Sequence, residues 1–152
     1  MATNESATES NALESLLNPD CGIPFDIHFD IDDEAGTTLG TFGCHKIILA
    51  LKSPVFKAMF FGPLRETGDH IKIKATSVKA FKTMLLYVYG VDEEWLPWSL
   101  DVRDIFLTTD LALRYNFPGL QEKVLSHAKT FLIKEERLLA IAQTAESFNV
   151  YR

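Results

Sequence analysis

The chain has 152 residues, 47% hydrophobic and 24% charged, a length and composition that suit one globular domain with its own core. Its formal net charge of −6 is uneven: residues 1–20 hold Glu5, Glu9, Glu14 and Asp20 without a Lys or Arg, so 17 of the 21 acids face all 15 bases in the remainder. That near-neutral body argues against nucleic-acid binding by phosphate neutralisation, the lack of any apolar run of about 18 residues against a membrane span, and the presence of only Cys21 and Cys44 against a disulfide framework or a structural zinc site.

Residues 1–10, rich in Ser, Thr, Asn and Glu, are expected to be disordered, and residues 1–14 carry neither the basic residue nor the apolar stretch of a secretory signal, so an intracellular chain is expected. Asn11 to Asn18 suits a short helix with Leu13, Leu16 and Leu17 on one side, ended by Asn18-Pro19. Phe25, Ile27, Phe29 and Ile31 alternate with polar residues and predict a half-buried strand. A turn over Asp32 to Gly36 leads into a returning strand over Thr37 to Phe42, which Gly40 weakens.

His45 to Phe60 reads as two short apolar helices joined by a corner. Ser53 can cap the second helix, and Pro54 fills its first position, where a missing N–H costs nothing. Val55, Phe56, Met59 and Phe60 then share one face, and Gly62-Pro63 stops the run. Ile71 to Lys74 alternates as a short strand. Thr76 or Ser77 caps a helix whose Val78, Phe81, Leu85 and Val88 form one stripe before Gly90. Asp92 to Leu100 is an acidic loop with Trp95, Pro97 and Trp98, whose indoles suit an interaction patch or a closure over the core equally.

Helices alone follow. Asp101 caps one with Val102, Ile105, Phe106 and Leu113 that ends near Tyr115-Asn116. Pro118 starts another with Leu120, Val124, Ala128 and Phe131 in register, and Lys134 to Asn149 makes a third. Strands first and helices later predict an α+β fold, a small mixed sheet flanked by helices and followed by a short helical extension. Catalysis is not expected. Cys44 and His45 are adjacent, but sequence neighbours rarely face each other and no orienting Asn or Asp is evident. His28, His45, His70 and His127 show no metal-ligand spacing, so neither metal nor cofactor is expected.

The segment from His45 to Phe60, with its His-Lys-x-x-Leu-Ala-x-x-Ser-x-x-Phe-x-x-Met-Phe spacing, resembles the signature of the BTB/POZ domain. Phe25-Asp26-Ile27, Ile71-Lys72-Ile73, Ala80-Phe81 and Tyr87-Val88-Tyr89 fit the same family, and the resemblance spans roughly residues 20–132. It is specific because many spaced positions agree at once. Met59 to Glu66 is most similar to members that pair BTB with a helical BACK domain and to speckle-type POZ adaptors. The resemblance implies a disordered tail at 1–10, a BTB/POZ domain over 11–132 with its core at 24–92, and the start of a BACK-like region over 133–152.

It also implies a homodimeric protein–protein interaction module of the cytoplasm or nucleus that recruits cullin-3 to a ubiquitin ligase. Adaptors of that kind carry an apolar residue, any residue, then Glu after the helix pair, which places the cullin contact on Leu64, Arg65 and Glu66. Leu13, Leu16, Leu17 and Ile48 take the family's dimer-interface positions. The alternatives are an oligomerisation module that does not engage cullin, or a short regulator that poisons longer BTB partners because it lacks a substrate-reading arm.

Overall fold

Alternating apolar residues after Asp26 make the central strand of a three-stranded sheet. The computed structural model describes residues 13–91, 100–132 and 141–146. Strand β1 (Ile27–Asp32) pairs antiparallel with β2 (Thr38–Cys44) and parallel with β3 (His70–Ile73), giving the order β2-β1-β3. Ile27, Phe29 and Ile31 are fully buried, so one face of β1 is core. The turn between β1 and β2 closes through the Asp33 carboxylate, which accepts from Thr37 N–H at 2.8 Å, and through Gly36 at φ +86°.

Two departures from the expected strands have physical causes. Phe25 does not continue the buried alternation. The strand begins at Ile27, and the Phe25 ring crosses to the opposite face, filling the space a Cβ on Gly43 would need. Gly40, expected to weaken β2, lies within it and lets Val78 approach to 3.1 Å from where its Cβ would be. A bulge follows there: Ile31 pairs with Gly40 but Asp32 with Thr38, which leaves Leu39 unpaired and exposed.

The helices are α1 (Lys46–Lys52), α2 (Pro54–Phe61), α3 (Val78–Val88), α4 (Val102–Arg114) and α5 (Pro118–Leu132). Their starts follow the expected caps. Ser53 Oγ accepts from Phe56 N–H at 3.2 Å, Ser77 Oγ from Ala80 N–H at 3.0 Å, and Asp101 Oδ1 from Asp104 N–H at 2.7 Å. Helix α4 ends where Asn116 turns left-handed at φ +58°, with Phe117 N–H returning to the Ala112 carbonyl at 2.7 Å. Leu113, expected on the apolar stripe of α4, is instead 62% exposed, and the buried face is built from Ile105, Leu107, Thr108, Leu111 and Ala112. Thr108 is tolerated there because its hydroxyl donates to the Asp104 carbonyl one turn back, at 2.6 Å.

Residues 141–146 are helical, within the span expected for the last helix; the rest of that span, the expected disordered tail and the Trp95–Trp98 cluster lie outside the described residues. No helix among the described residues is long and apolar enough to cross a membrane.

Phe56 is the hub of the core. Its ring stacks on Tyr115 at 4.4 Å and on Phe60 at 5.8 Å, and meets Phe29 edge-on at 5.9 Å. One side chain thus joins the sheet, the helix pair and the end of α4. Replacing Phe56 by Ala should cost about 3–5 kcal/mol, from lost transfer energy and the cavity left behind. A urea titration checks this, with a fall in midpoint at unchanged slope as the expected outcome.

Candidate functional site

The turn after α2 presents Leu64. Gly62 closes α2 where a Cβ would collide with the Ala58 carbonyl, and its N–H donates to that oxygen at 3.0 Å. Pro63, Leu64 and Arg65 then loop out before Glu66 N–H returns to the Met59 carbonyl at 2.8 Å. Pinned at both ends, the loop holds Leu64 at 95% exposure, with Arg65 and Glu66 also exposed beside it. The structure therefore places the three residues expected to meet a partner together on one short, tethered loop. An apolar side chain held in water with a carboxylate two residues away is suited to filling a partner's pocket while the carboxylate accepts hydrogen bonds at its edge.

The leucines near the N-terminus lie in a tight helical segment. Leu16 and Leu17 N–H groups donate to Leu13 and Glu14 carbonyls at 3.1 and 3.0 Å, and Asn18 caps the following turn at Pro19–Cys21. Leu16, Leu17 and Ile48 are half-buried and packed against this chain's own core, and Leu13 is half-buried. The structure brings Leu16, Leu17 and Ile48 to the margin of the core with apolar surface still open to water.

Cys44 and His45 do not form a nucleophile–base pair. The Tyr89 hydroxyl accepts from His45 N–H at 3.0 Å and lies 3.0 Å from His45 Nδ1. The ring nitrogen nearest the hydroxyl is thus engaged by Tyr89 and not by the Cys44 thiol. The Cys44 thiol is fully buried, and burial, reinforced by the Asp26 carboxylate, pushes its pKa up to about 12. His45 packs at the start of α1, while the cap itself comes from Asp26, whose Oδ1 accepts from Lys46 N–H at 2.8 Å.

A polar group on the outer sheet face was not legible from spacing. His28 and His70 are direct partners across β1 and β3, and their rings stack at 4.8 Å. Asp30 accepts from Thr41 Oγ1 at 2.7 Å and pairs with His70 Nδ1 at 3.0 Å; those two contacts hold its carboxyl below the usual carboxylate range. The signal lay in β1 itself, whose His28 and Asp30 fall between the buried residues. Among the described residues, no group of three or more His, Cys, Asp or Glu is arranged to hold a metal ion.

Comparison with known proteins gives a consistent picture. The family model for the BTB/POZ domain matches residues 18–132. BTB/POZ domain-containing protein 3 of Homo sapiens is 32% identical over 136 residues, 90% of this chain and 24% of that protein. BTB/POZ and MATH domain-containing protein 3 of Arabidopsis thaliana is 41% identical over 78 residues, 51% of this chain and 17% of that protein. The chain therefore spans at most about a quarter of the length of these curated relatives. Among solved structures, the BTB domain of zebrafish PATZ1 shares the fold, with a TM-score of 0.60 at 17% identity, covering 86% of this chain and 96% of that one.

The buried thiol has a direct consequence. At about pH 8, a thiol with its pKa near 12 is ionised on the order of one part in ten thousand, and it is sterically closed as well. Maleimide labelling of the native chain should therefore modify Cys21, which is only half-buried, and spare Cys44 until denaturant is added. Mass spectrometry of the two samples counts the labels.

Proposed function

We propose a bridging role for this chain, which belongs to the BTB/POZ domain family: a homodimer that offers the Leu64 loop to cullin-3. Its general character as a protein–protein interaction module follows from family membership. The observation that carries the finer reading is the 95% exposure of Leu64 on a loop held by the Glu66–Met59 backbone bond. A leucine so placed contributes nothing to this domain's core, yet its position is fixed before a partner arrives. Preorganisation of that kind lowers the ordering cost of binding. In this reading Leu64 fills a pocket on cullin-3, Glu66 accepts hydrogen bonds at its rim, and Arg65 lines the same edge, in the cytoplasm or nucleus.

Dimerisation rests on the half-buried leucines. Leu13, Leu16, Leu17 and Ile48 all retain apolar surface open to water, the last three at the edge of the core, and a two-fold axis uses such a patch twice. The same observation supports the second reading, an oligomerisation module that does not engage cullin.

Two measurements test these readings. Light scattering at micromolar concentration should give about twice the 17.1 kDa chain mass, whereas a chain that stays monomeric removes the dimer. Leu64→Asp should weaken cullin-3 binding by about thirtyfold or more while leaving the melting temperature within a degree or two, because the side chain is exposed in the free domain. Native chain with no cullin-3 binding at tens of micromolar leaves the oligomerisation module as the function.

A further inference from the structure

The loop that carries Leu64 runs directly into β3, and the groups that hold this junction lie on the outer face of the sheet. Pro63 to His70 are all exposed, so burial does not order the stretch. Its backbone is tied back at two points. Glu66 N–H donates to the Met59 carbonyl, and the Asp69 carbonyl accepts from His28 N–H at 2.7 Å. The second tie sits beside the first pair of β3, a four-residue edge strand that runs parallel to β1. The end of a short edge strand opens at low cost. Opening there passes straight into Thr67 and Gly68, the two residues between the ties.

Side chains close that end. At the level of the tie, one row of rings crosses all three strands. The Phe25 ring lies over Gly43 of β2, and His28 of β1 stands opposite Gly43 and meets Phe25 edge-on at 6.2 Å. His70 of β3 stacks on His28 with 13° between the ring planes. The next row is Thr41, Asp30 and Lys72. Its carboxylate fastens both neighbouring strands: Asp30 Oδ1 accepts from the Thr41 hydroxyl, and Oδ2 lies 3.0 Å from His70 Nδ1. The link to β3 runs diagonally, back to the residue where the loop ends. His70 is engaged in two directions although its side chain is 52% exposed, while the inward face of β3 is made by Ile71 and Ile73.

We infer that His28, Asp30 and His70 are positioning residues for Leu64: they clamp the first residue of β3 and so keep the loop between α2 and β3 ordered before a partner arrives. The inference rests on the reading of Leu64 as a partner anchor, and none of the three lies within the Leu64–Glu66 contact itself. An anchor on a loose loop must be ordered on capture, which weakens binding without loss of any contact. The ring row and the Asp30 carboxylate move that ordering into folding.

Native-state hydrogen exchange on the full chain tests this through two amides. His28 N–H makes the tie to Asp69, Glu66 N–H makes the tie to Met59, and Tyr89 N–H, bonded to the Leu85 carbonyl at the end of α3, is the control. His70→Ala removes the stack and the carboxylate contact at a half-exposed position. Both reporter amides should then exchange about tenfold or more faster, with Tyr89 unchanged. His70→Phe, which keeps a ring on His28, should restore part of the protection. Cullin-3 affinity should fall about fivefold in His70→Ala and less in His70→Phe. Faster exchange at His28 with Glu66 unchanged overturns the proposal, because the clamp then secures β3 and not the loop. Faster exchange at Glu66 with cullin-3 affinity unchanged overturns it too, as does equal acceleration at Tyr89, which marks a general loss of stability. Native chain that does not bind cullin-3 removes the cullin reading, and the clamp is then decided by Glu66 exchange.

Discussion

The fold turns on one serine. Ser53 is 1% exposed, and its hydroxyl works in both directions, accepting from Phe56 N–H and donating to the Tyr115 carbonyl at 2.6 Å. The first bond starts α2 one residue after α1 ends, which sets the corner between the helices. The second ties that corner to the end of α4, 62 residues away in sequence. Tyr115 follows the last turn of α4, where carbonyls have no partner within the helix, so the serine satisfies a group that would otherwise be buried unpaired. Phe56, held by the cap, then stacks on the Tyr115 ring itself. Backbone polarity and aromatic packing are thus satisfied at one junction.

The same economy recurs at three other element ends. Asp26, just before β1, caps α1 through Lys46 N–H. Ser77 caps α3 and also donates to the Asp104 carboxylate at 2.6 Å, fastening the start of α3 to the first turn of α4. Tyr89, at the end of α3, reaches the backbone N–H of His45 before α1. Each of these polar groups serves a local terminus and a distant element together. A buried polar group with a partner costs little, and without one it costs about 1–3 kcal/mol, so each such pair also selects against misplaced packing.

Much of this was legible in the chain because it is local. The caps at Ser53, Ser77 and Asp101, the proline starts at Pro54 and Pro118, and the burial of Ile27, Phe29 and Ile31 all follow from spacing and side-chain chemistry. What could not be read is what depends on pairing across the chain. The strand pattern places Phe25 with its neighbours in the core, and only the register of Gly43 opposite His28 reveals the space on the other face into which its ring crosses. Gly40 argues against a strand until α3 is seen pressing Val78 against it. Leu113 satisfies the helical period of α4 yet faces water, because the apolar arc there is centred on Leu111 and Leu107 instead. The stacked His28 and His70, 42 positions apart, meet only because β1 and β3 are parallel and in register.

Three of the exposed apolar groups fall on backbone that is hydrogen-bonded into the fold, and that bears on how they would act. Leu51, Phe61 and Leu64 belong to a helix pair and a loop whose backbone is held by the Ser53 corner, by Gly62 against Ala58 and by Glu66 against Met59. A hydrophobic side chain on a flexible segment loses chain entropy when it is captured, and each ordered residue costs on the order of 1 kcal/mol or more. Here that ordering is done by folding, so little of a partner's contact energy is needed for it. Selectivity then has to come from chemistry and not from induced shape. The surfaces differ in that respect: Leu64 is accompanied by one acid and one base, while the concavity lined by Leu51 and Phe61 is edged by lysines alone. The helix pair and its loop therefore present one apolar group beside an acid and a base, and an apolar concavity beside lysines alone.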